Sequence, residues 1–496
     1  MAAAIRLEDV TFRFWEEGKR NILDHASLTI EEGGITVLMG ASGCGKSTLA
    51  AVAAGLYPEN GGYLEGGSIR LYGHDLKDMD PAARAGYLTV MFQNPDLQFC
   101  MDTLRREMIF CLENISVPVA EMDRRIAETA ERLHMTALLD RPLTSLSGGE
   151  KQKATLCCLC VMESRCILLD EPFANIDPDA AEELVDLLLE MKAAGRTIVA
   201  IDHQPEYWLR AADEFILLGA GGAVAARGIR RDNLAAFRGV FEEQGVFFPS
   251  ERAERRPAPA EGEAAISLEK VSIPVAMPKK RLFRRDTEAP VWLLKDADAV
   301  FPKGRMTAIL GRSGCGKTTT FLSILKQHPY TGRILLEGRD IAGIPQRELY
   351  RQVGIVFQNP ANQFITQNVE EEVRAGIRVW EPQLGDAPLK ERAERLLEGY
   401  GLLPQRRYSP YMLSQGQQRR LAVLSVLAGR QRILFLDEPT YGQDQRSTRA
   451  IMTQLREKMA HEGLTVVFIT HDRRLAAEWA DKVYLFEERK LKEAVL

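Results

Sequence analysis

The sequence predicts a duplicated α/β protein, and three observations predict it. The stretch Gly40-Ala41-Ser42-Gly43-Cys44-Gly45-Lys46-Ser47-Thr48 recurs as Gly311-Arg312-Ser313-Gly314-Cys315-Gly316-Lys317-Thr318-Thr319. Each copy lies between a short apolar run, Ile35-Thr36-Val37-Leu38-Met39 or Met306-Thr307-Ala308-Ile309-Leu310, that reads as a buried strand, and a segment that reads as a helix. Further signals then repeat in the same order: Gln93 and Gln358, Ser147 and Ser414, Asp170-Glu171 and Asp437-Glu438, His203 and His471. The separation is 271 residues for the two lysines and 267, 267 and 268 for the last three pairs. A spacing this steady indicates duplication. It divides the chain into domains at 1–245 and 265–496, joined by a linker at 246–264 that holds Pro, Ala and charged residues.

The bulk properties narrow the class. At 496 residues, 45% hydrophobic and 27% charged, the chain has globular composition, and each half is long enough for its own core. A net charge of −5 argues against a general nucleic-acid binder. No apolar run approaches the roughly 18 residues that span a bilayer. The start, Met1-Ala2-Ala3-Ala4-Ile5-Arg6, lacks a secretory apolar segment, so the expectation is a cytosolic chain or one peripheral on the cytosolic face. Cys157, Cys158 and Cys160 have no partners at metal-ligand spacing and read as reduced core thiols; Cys44 and Cys315 read as small residues in a tight space.

Taken in order, residues 5–14 alternate as an edge strand. Phe14 at its end is either a platform for a purine ring or a half-buried strand aromatic. The loop at 40–48 follows. Its glycines let the backbone curl around one anion, and the next helix aims its unpaired N–H groups at the same point. Gly40, Ser42, Gly43, Cys44, Gly45 and Thr48, with Gly311, Ser313, Gly314, Cys315, Gly316 and Thr319, form the two phosphate-binding loops. Lys46 and Lys317 reach the β- and γ-phosphates of a triphosphate, and the Ser47 and Thr318 hydroxyls ligate Mg²⁺. Val90-Met91-Phe92-Gln93 is a strand ending at Asn94-Pro95, which puts the Gln93 amide beside the phosphates to ligate Mg²⁺ or hold the attacking water.

Residues 99–140 have helical spacing and read as a helical insertion. It ends at Leu146-Ser147-Gly148-Gly149-Glu150, where Ser147 and Glu150 form a capping box and two glycines leave N–H groups open to an anion. Cys166 to Pro172 is an apolar strand ending in Asp170 and Glu171. Adjacent carboxylates at the tip of a buried strand need a cation, so Asp170 is read as a Mg²⁺ ligand and Glu171 as the group that polarises water. Arg196 to His203 is a further strand whose histidine is aimed at the γ-phosphate.

This order of signals resembles the ATP-binding cassette (ABC) ATPases, over nearly all the chain outside the linker. The resemblance implies two P-loop NTPase cassettes, each with a RecA-like α/β core, an antiparallel β subdomain and a helical subdomain. It implies that the cassettes pair head to tail within one chain, so a homodimer is not required. Each ATP·Mg²⁺ then meets the phosphate loop of one cassette and the signature stretch of the other. One site would use Lys46, Ser47, Gln93, Asp170, Glu171 and His203 with Ser414, Gln415, Gly416 and Gln417. The other would use Lys317, Thr318, Gln358, Asp437, Glu438 and His471 with Ser147, Gly148, Gly149 and Glu150. Asn175-Ile176-Asp177 and Gly442-Gln443-Asp444 match the family's D-loop.

The second copy departs from the pattern at Gln415, where glycine is usual, and at Val275, where the first has Phe14. It also carries Lys279-Lys280-Arg281-Leu282-Phe283-Arg284-Arg285, which is either a solvated loop or a contact for anionic lipid. Within the family, Phe92-Gln93-Asn94-Pro95-Asp96-Leu97-Gln98-Phe99 and Phe357-Gln358-Asn359-Pro360-Ala361-Asn362-Gln363-Phe364 resemble energy-coupling factor (ECF) importer ATPases. That implies hydrolysis coupled to uptake of a vitamin or metal ion, with membrane partners: a transmembrane coupling protein and a substrate-binding subunit. Two other readings are a sugar-type tandem importer ATPase and a soluble ribosome-associated tandem cassette protein.

Overall fold

A computed structural model describes residues 2–16, 21–92, 97–173, 178–248, 262–275, 291–312, 314–440 and 444–495. Gln93, Ser313, the loops at 174–177 and 441–443, most of the linker (249–261) and the basic stretch at 279–285 lie outside the described residues. The chain divides into two compact units, Met1–Pro249 with Asp444–Arg446, and Ser250–Gln443 with Ser447–Leu496.

In the first unit the strands are β1 (Ala3–Arg13), β2 (Leu23–Glu31), β3 (Ile35–Gly40), β4 (Tyr63–Leu71), β5 (His74–Asp75), β6 (Leu88–Met91), β7 (Cys166–Asp170), β8 (Thr197–Ile201), β9 (Glu214–Leu218) and β10 (Val224–Ile229). The helices are α1 (Lys46–Ala53), α2 (Pro81–Tyr87), α3 (Leu104–Asn114), α4 (Val119–Arg132), α5 (Gly148–Val161), α6 (Pro178–Ala193) and α7 (Arg238–Glu243). One sheet runs β10-β9-β3-β8-β7-β6 and the other β2-β1-β4-β5. β3, β7 and β8 are buried at every residue, and β3 pairs in parallel with β8 and β9. Such continuous apolar runs belong in a parallel sheet covered on both faces. In such a sheet the loops at the carboxyl ends of the strands are where ligands bind.

β1 corrects one expectation. It is not an edge strand: it pairs antiparallel with β2 on one side and β4 on the other. Alternation reports that one face is buried, not how many neighbours a strand has. The alternation itself slips at Asp9, where φ is 55° and the register with both partners shifts.

The second unit repeats this plan. Its strands are β11 (Ala264–Pro274), β12 (Trp292–Pro302), β13 (Met306–Gly311), β14 (Thr331–Leu336), β15 (Arg339–Asp340), β16 (Val353–Val356), β17 (Ile433–Asp437), β18 (Thr465–Thr470), β19 (Lys482–Glu487) and β20 (Lys490–Ala494). Its helices are α8 (Lys317–Ile324), α9 (Gln346–Gln352), α10 (Val369–Trp380), α11 (Asp386–Gly399), α12 (Gln415–Leu427), α13 (Gln445–Glu462) and α14 (Arg473–Trp479). The sheet orders are β16-β17-β18-β13-β19-β20 and β12-β11-β14-β15, which match the first unit strand for strand.

The expected helical insertion is α3 and α4, packed on α5. Leu104, Met108 and Leu112 form one buried stripe and Met122, Ile126 and Ala130 another, both at i, i+4 spacing. Val369, Val373 and Ile377 with Leu389, Ala393 and Leu397 do the same in the second unit. Each insertion holds one buried acid. Glu107 Oε2 accepts from the N–H groups of Cys100 (2.9 Å) and Met101 (2.7 Å). Glu372 Oε2 accepts from Ile365 N–H (3.1 Å), Thr366 N–H (2.9 Å) and the Thr366 hydroxyl (2.7 Å). These carboxylates tie the chain that follows Asn94-Pro95 and Asn359-Pro360 to its helical layer. Removing one leaves part-buried N–H donors without an acceptor. Glu107→Ala and Glu372→Ala are each expected to cost about 3 kcal/mol, read as a lower midpoint of thermal unfolding. An unchanged midpoint contradicts this role.

Candidate nucleotide sites

The phosphate loops form where strand meets helix. Gly45 and Gly316 cap α1 and α8 in the left-handed region, at φ 107° and 115°. Gly43 and Gly314 share that region, at 79° and 75°. Gly40 is fixed by space as well: a Cβ there would lie 2.5 Å from Leu218 O and 2.8 Å from Cys44 Sγ. Cys44 is therefore packed against the loop's first glycine, as the reading of it as a small residue in a tight space expects. Lys46 is buried, and its Nζ donates to Gly40 O (2.7 Å) and Ala41 O (2.9 Å). Lys317 Nζ donates to Gly311 O (2.6 Å) and Arg312 O (2.7 Å). The loop thus supplies carbonyls that hold each ammonium at the helix start. Thr48 and Thr319 are half-buried in the first turns of these helices.

Neighbouring strands bring the acids to the same end of the sheet. Asp170 ends β7 and Asp437 ends β17. Thr318 Oγ1 donates to Asp437 Oδ2 at 2.6 Å, and the Ser47 hydroxyl bonds Asp170. Asp170 Oδ1 is buried with no hydrogen-bond partner. Burial, reinforced by the adjacent Glu171 charge, pushes the Asp170 carboxyl up to about 6. Burial, opposed by the Thr318 hydroxyl, raises Asp437 as well. A hydroxyl beside a buried, under-satisfied carboxylate is a donor set that fits Mg²⁺. The sequence reading of Ser47, Asp170, Thr318 and Asp437 as ligands is consistent with that chemistry.

Glu171 and Glu438 lie in the left-handed region, at φ 50° and 52°. Few side chains adopt that conformation unless their surroundings hold it. Here the N–H groups of the two residues donate to Ile201 O (2.8 Å) and Ile469 O (3.0 Å). Their carboxylates meet the histidines: His203 Nε2 is 2.7 Å from Glu171 Oε1, and His471 Nδ1 is 3.0 Å from Glu438 Oε1. Burial alone would depress both imidazoles, but the facing carboxylates outweigh it and hold them above their ordinary value.

Sequence reasoning aimed these histidines at a phosphate and did not foresee the Glu–His pairs. It also passed over Asp202. That carboxylate is buried and accepts from His203 N–H (2.7 Å), Gln204 N–H (2.9 Å) and Trp208 Nε1 (2.8 Å). Its place directly before the histidine was the available signal.

Asp170 and Asp202 give the first unit a pH dependence. Both are raised to about 6 from an ordinary 3.8, Asp202 mainly by burial. The folded state then holds their protons more tightly than the unfolded state. Stability is highest below about pH 4 on this account and falls as pH rises to about 6. The fall is of order 2–3 kcal/mol per group. Asp170→Asn, which does not titrate, is expected to flatten the melting profile between pH 4 and pH 7; a profile as steep as wild type contradicts the assignment.

Ser147 and Ser414 form the capping boxes that the sequence predicts for Ser147. Ser147 N–H donates to Glu150 Oε2 (2.7 Å) and Glu150 N–H to Ser147 Oγ (3.3 Å). Ser414 N–H donates to Gln417 Oε1 (3.0 Å) and Gln417 N–H to Ser414 Oγ (3.3 Å). Gly148, Gly149, Gln415 and Gly416 occupy the first turns of α5 and α12. Gln358 is exposed just beyond β16. Phe14 is partly exposed, with its ring edge-on to Phe12 (5.3 Å) and Tyr57 (5.4 Å), and Val275 is half-exposed.

Comparison with known proteins bears on the family and the fold. The ABC transporter family profile matches residues 23–174 and again 294–441. The "Putative HMP/thiamine import ATP-binding protein YkoD" of Bacillus subtilis (strain 168) is 32% identical, covering 98% of this chain and 90% of that protein. A protein of Streptococcus mutans, named in the same provisional way as an ABC transporter ATP-binding protein, is 30% identical over 99% of this chain and 90% of its own length. Among solved structures, the archaeal ABCE1 bound to Pelota and the ribosome superposes with a TM-score of 0.66 at 17% identity. It spans 98% of this chain and 78% of that one. The RNase-L Inhibitor gives 0.62 at 17% identity, over 96% and 87%. Identities that low speak to the tandem fold alone. The chain belongs to the ABC transporter ATP-binding family, as an ATPase with two cassettes in tandem.

Proposed function

We propose that this chain is the ATPase of an importer of the energy-coupling factor type, driving uptake of a vitamin, metal ion or similar micronutrient through separate membrane subunits. The observation that carries this reading is a groove repeated in both units. In the first it has a volume of about 470 Å³ and is lined by Phe92, Gln98, Phe99, Glu107, Cys111 and Leu159, among others. In the second it has about 330 Å³ and is lined by Ile355, Gln363, Ile365, Glu372, Gly376 and Val426, among others. Both grooves are walled by the chain that follows the Asn-Pro turn, which is the stretch that resembles the importers. That chain is fixed in place: Gln98 bridges Phe92 N–H (3.1 Å) and Val90 O (2.7 Å), and Gln363 bridges Phe357 N–H (3.3 Å) and Ala422 O (2.9 Å). A largely apolar groove of this size suits a helix of a membrane partner. No helix among the described residues is long and apolar enough to cross a membrane itself. The B. subtilis relative, named for import of HMP and thiamine, supports an import role.

On this reading Lys46 and Lys317 hold the β- and γ-phosphates of ATP. Ser47, Asp170, Gln93, Thr318, Asp437 and Gln358 hold Mg²⁺, which neutralises phosphate charge when bound. Glu171 and Glu438 polarise the attacking water, and His203 and His471 orient those carboxylates and face the γ-phosphate. Ser147 to Glu150 and Ser414 to Gln417 present helix N-terminal N–H groups to nucleotide.

The test is a mild-detergent pull-down of the tagged chain from its native cells. A small polytopic membrane protein is expected, and its substrate-binding companion would name the cargo class. A periplasmic-type sugar-binding partner set would favour the sugar importer. Ribosomal proteins without any membrane protein would overturn the transporter reading and leave the ATPase intact.

A further inference from the structure

Arg419, on α12, is almost fully buried at 5% exposure. Its guanidinium spans two backbone carbonyls: Nη2 donates to Gln358 O at 2.8 Å, and Nη1 donates to Glu438 O. Those two residues are the ones assigned above to Mg²⁺ or water and to water activation in the second cassette. Glu438 is also the residue held at a left-handed φ of 52°. Its N–H is anchored on Ile469 O and its carboxylate on His471, so the Arg419 bond fixes the remaining polar group of the same residue.

We propose that Arg419 is a positioning residue of the second nucleotide site. Its buried fork locks the backbone of Glu438 to the loop that bears Gln358, so the two groups keep one relative placement. A planar guanidinium suits this because it directs two charge-assisted N–H bonds at fixed angles. The matching place in the first cassette is Gln152 on α5, two residues after Glu150 as Arg419 is two after Gln417. Gln152 is buried, but it is neutral and carries a single NH₂ group. The two cassettes therefore carry different side chains at this place, a charged fork in the second and a neutral amide in the first.

This inference rests on the assignment of Glu438 and Gln358 to hydrolysis, and its test separates the two claims. Arg419→Gln installs the first cassette's residue, and Arg419→Lys keeps charge and length but not the fork. Amide hydrogen exchange is read on the nucleotide-free full chain, at Glu438 and across residues 357–364. ATPase kinetics are read in a Glu171→Gln background, where the second site alone turns over. Arg419→Gln is expected to speed exchange at those amides about tenfold. It is also expected to lower kcat about tenfold with KM changed less than about twofold. Arg419→Lys falls between it and wild type, and carries the comparison if Arg419→Gln melts below the assay temperature. Unchanged exchange overturns the proposal. So does a rise in KM at constant kcat, or faster exchange spread evenly over α12 and β17. If Glu171→Gln alone abolishes turnover, the hydrolytic assignment of Glu438 fails, and the exchange data still decide whether Arg419 holds that backbone.

Discussion

Glu171→Gln and Glu438→Gln are each expected to lower steady-state ATP hydrolysis, and the double variant to lower it by at least about a hundredfold. Both carboxylates are intact, both stand on a backbone pinned in the left-handed region, and both face a histidine. Nothing in these three features marks one site as degenerate. Glutamine keeps the side-chain volume and a hydrogen-bonding oxygen while removing the charge that polarises water, so nucleotide binding is expected to survive. Turnover untouched by Glu438→Gln and abolished by Glu171→Gln would contradict two hydrolytic sites.

The second large effect is on binding. Lys46→Ala and Lys317→Ala are each expected to weaken ATP binding at their own loop roughly a hundredfold, close to 3 kcal/mol. Each ammonium is held by two loop carbonyls at 2.6–2.9 Å, so it is placed before nucleotide arrives. Its removal takes away the main positive charge at the loop and leaves those carbonyls without their donor. Titration calorimetry on the two single variants measures this. A loss confined to one of two binding events is expected; two unaltered events would remove the lysines from the sites.

Much of this was legible because the chemistry is written in contiguous residues. The loops at 40–48 and 311–319 need glycine where φ is positive, and glycine stands there. Capping boxes and acid-tipped apolar strands are likewise local patterns. Contacts between distant segments were not legible. The Glu171–His203 pair joins the ends of β7 and β8, and Arg419 joins α12 to two other segments, so no spacing rule announces either. β1 shows the same limit, since its alternation gave the buried face and misled on its two neighbours. The buried Glu107 read as one more charged residue of a helical insertion, although it holds the chain beside the groove.

On the proposed reading, one chain carries two ATP sites, each with its own loop, metal-binding pair and glutamate. Equilibrium binding of ATP·Mg²⁺ to the Glu171→Gln, Glu438→Gln double variant tests it most directly, since hydrolysis no longer drains the bound state. Two nucleotides per chain is the predicted result. One nucleotide per chain, or none, would contradict it.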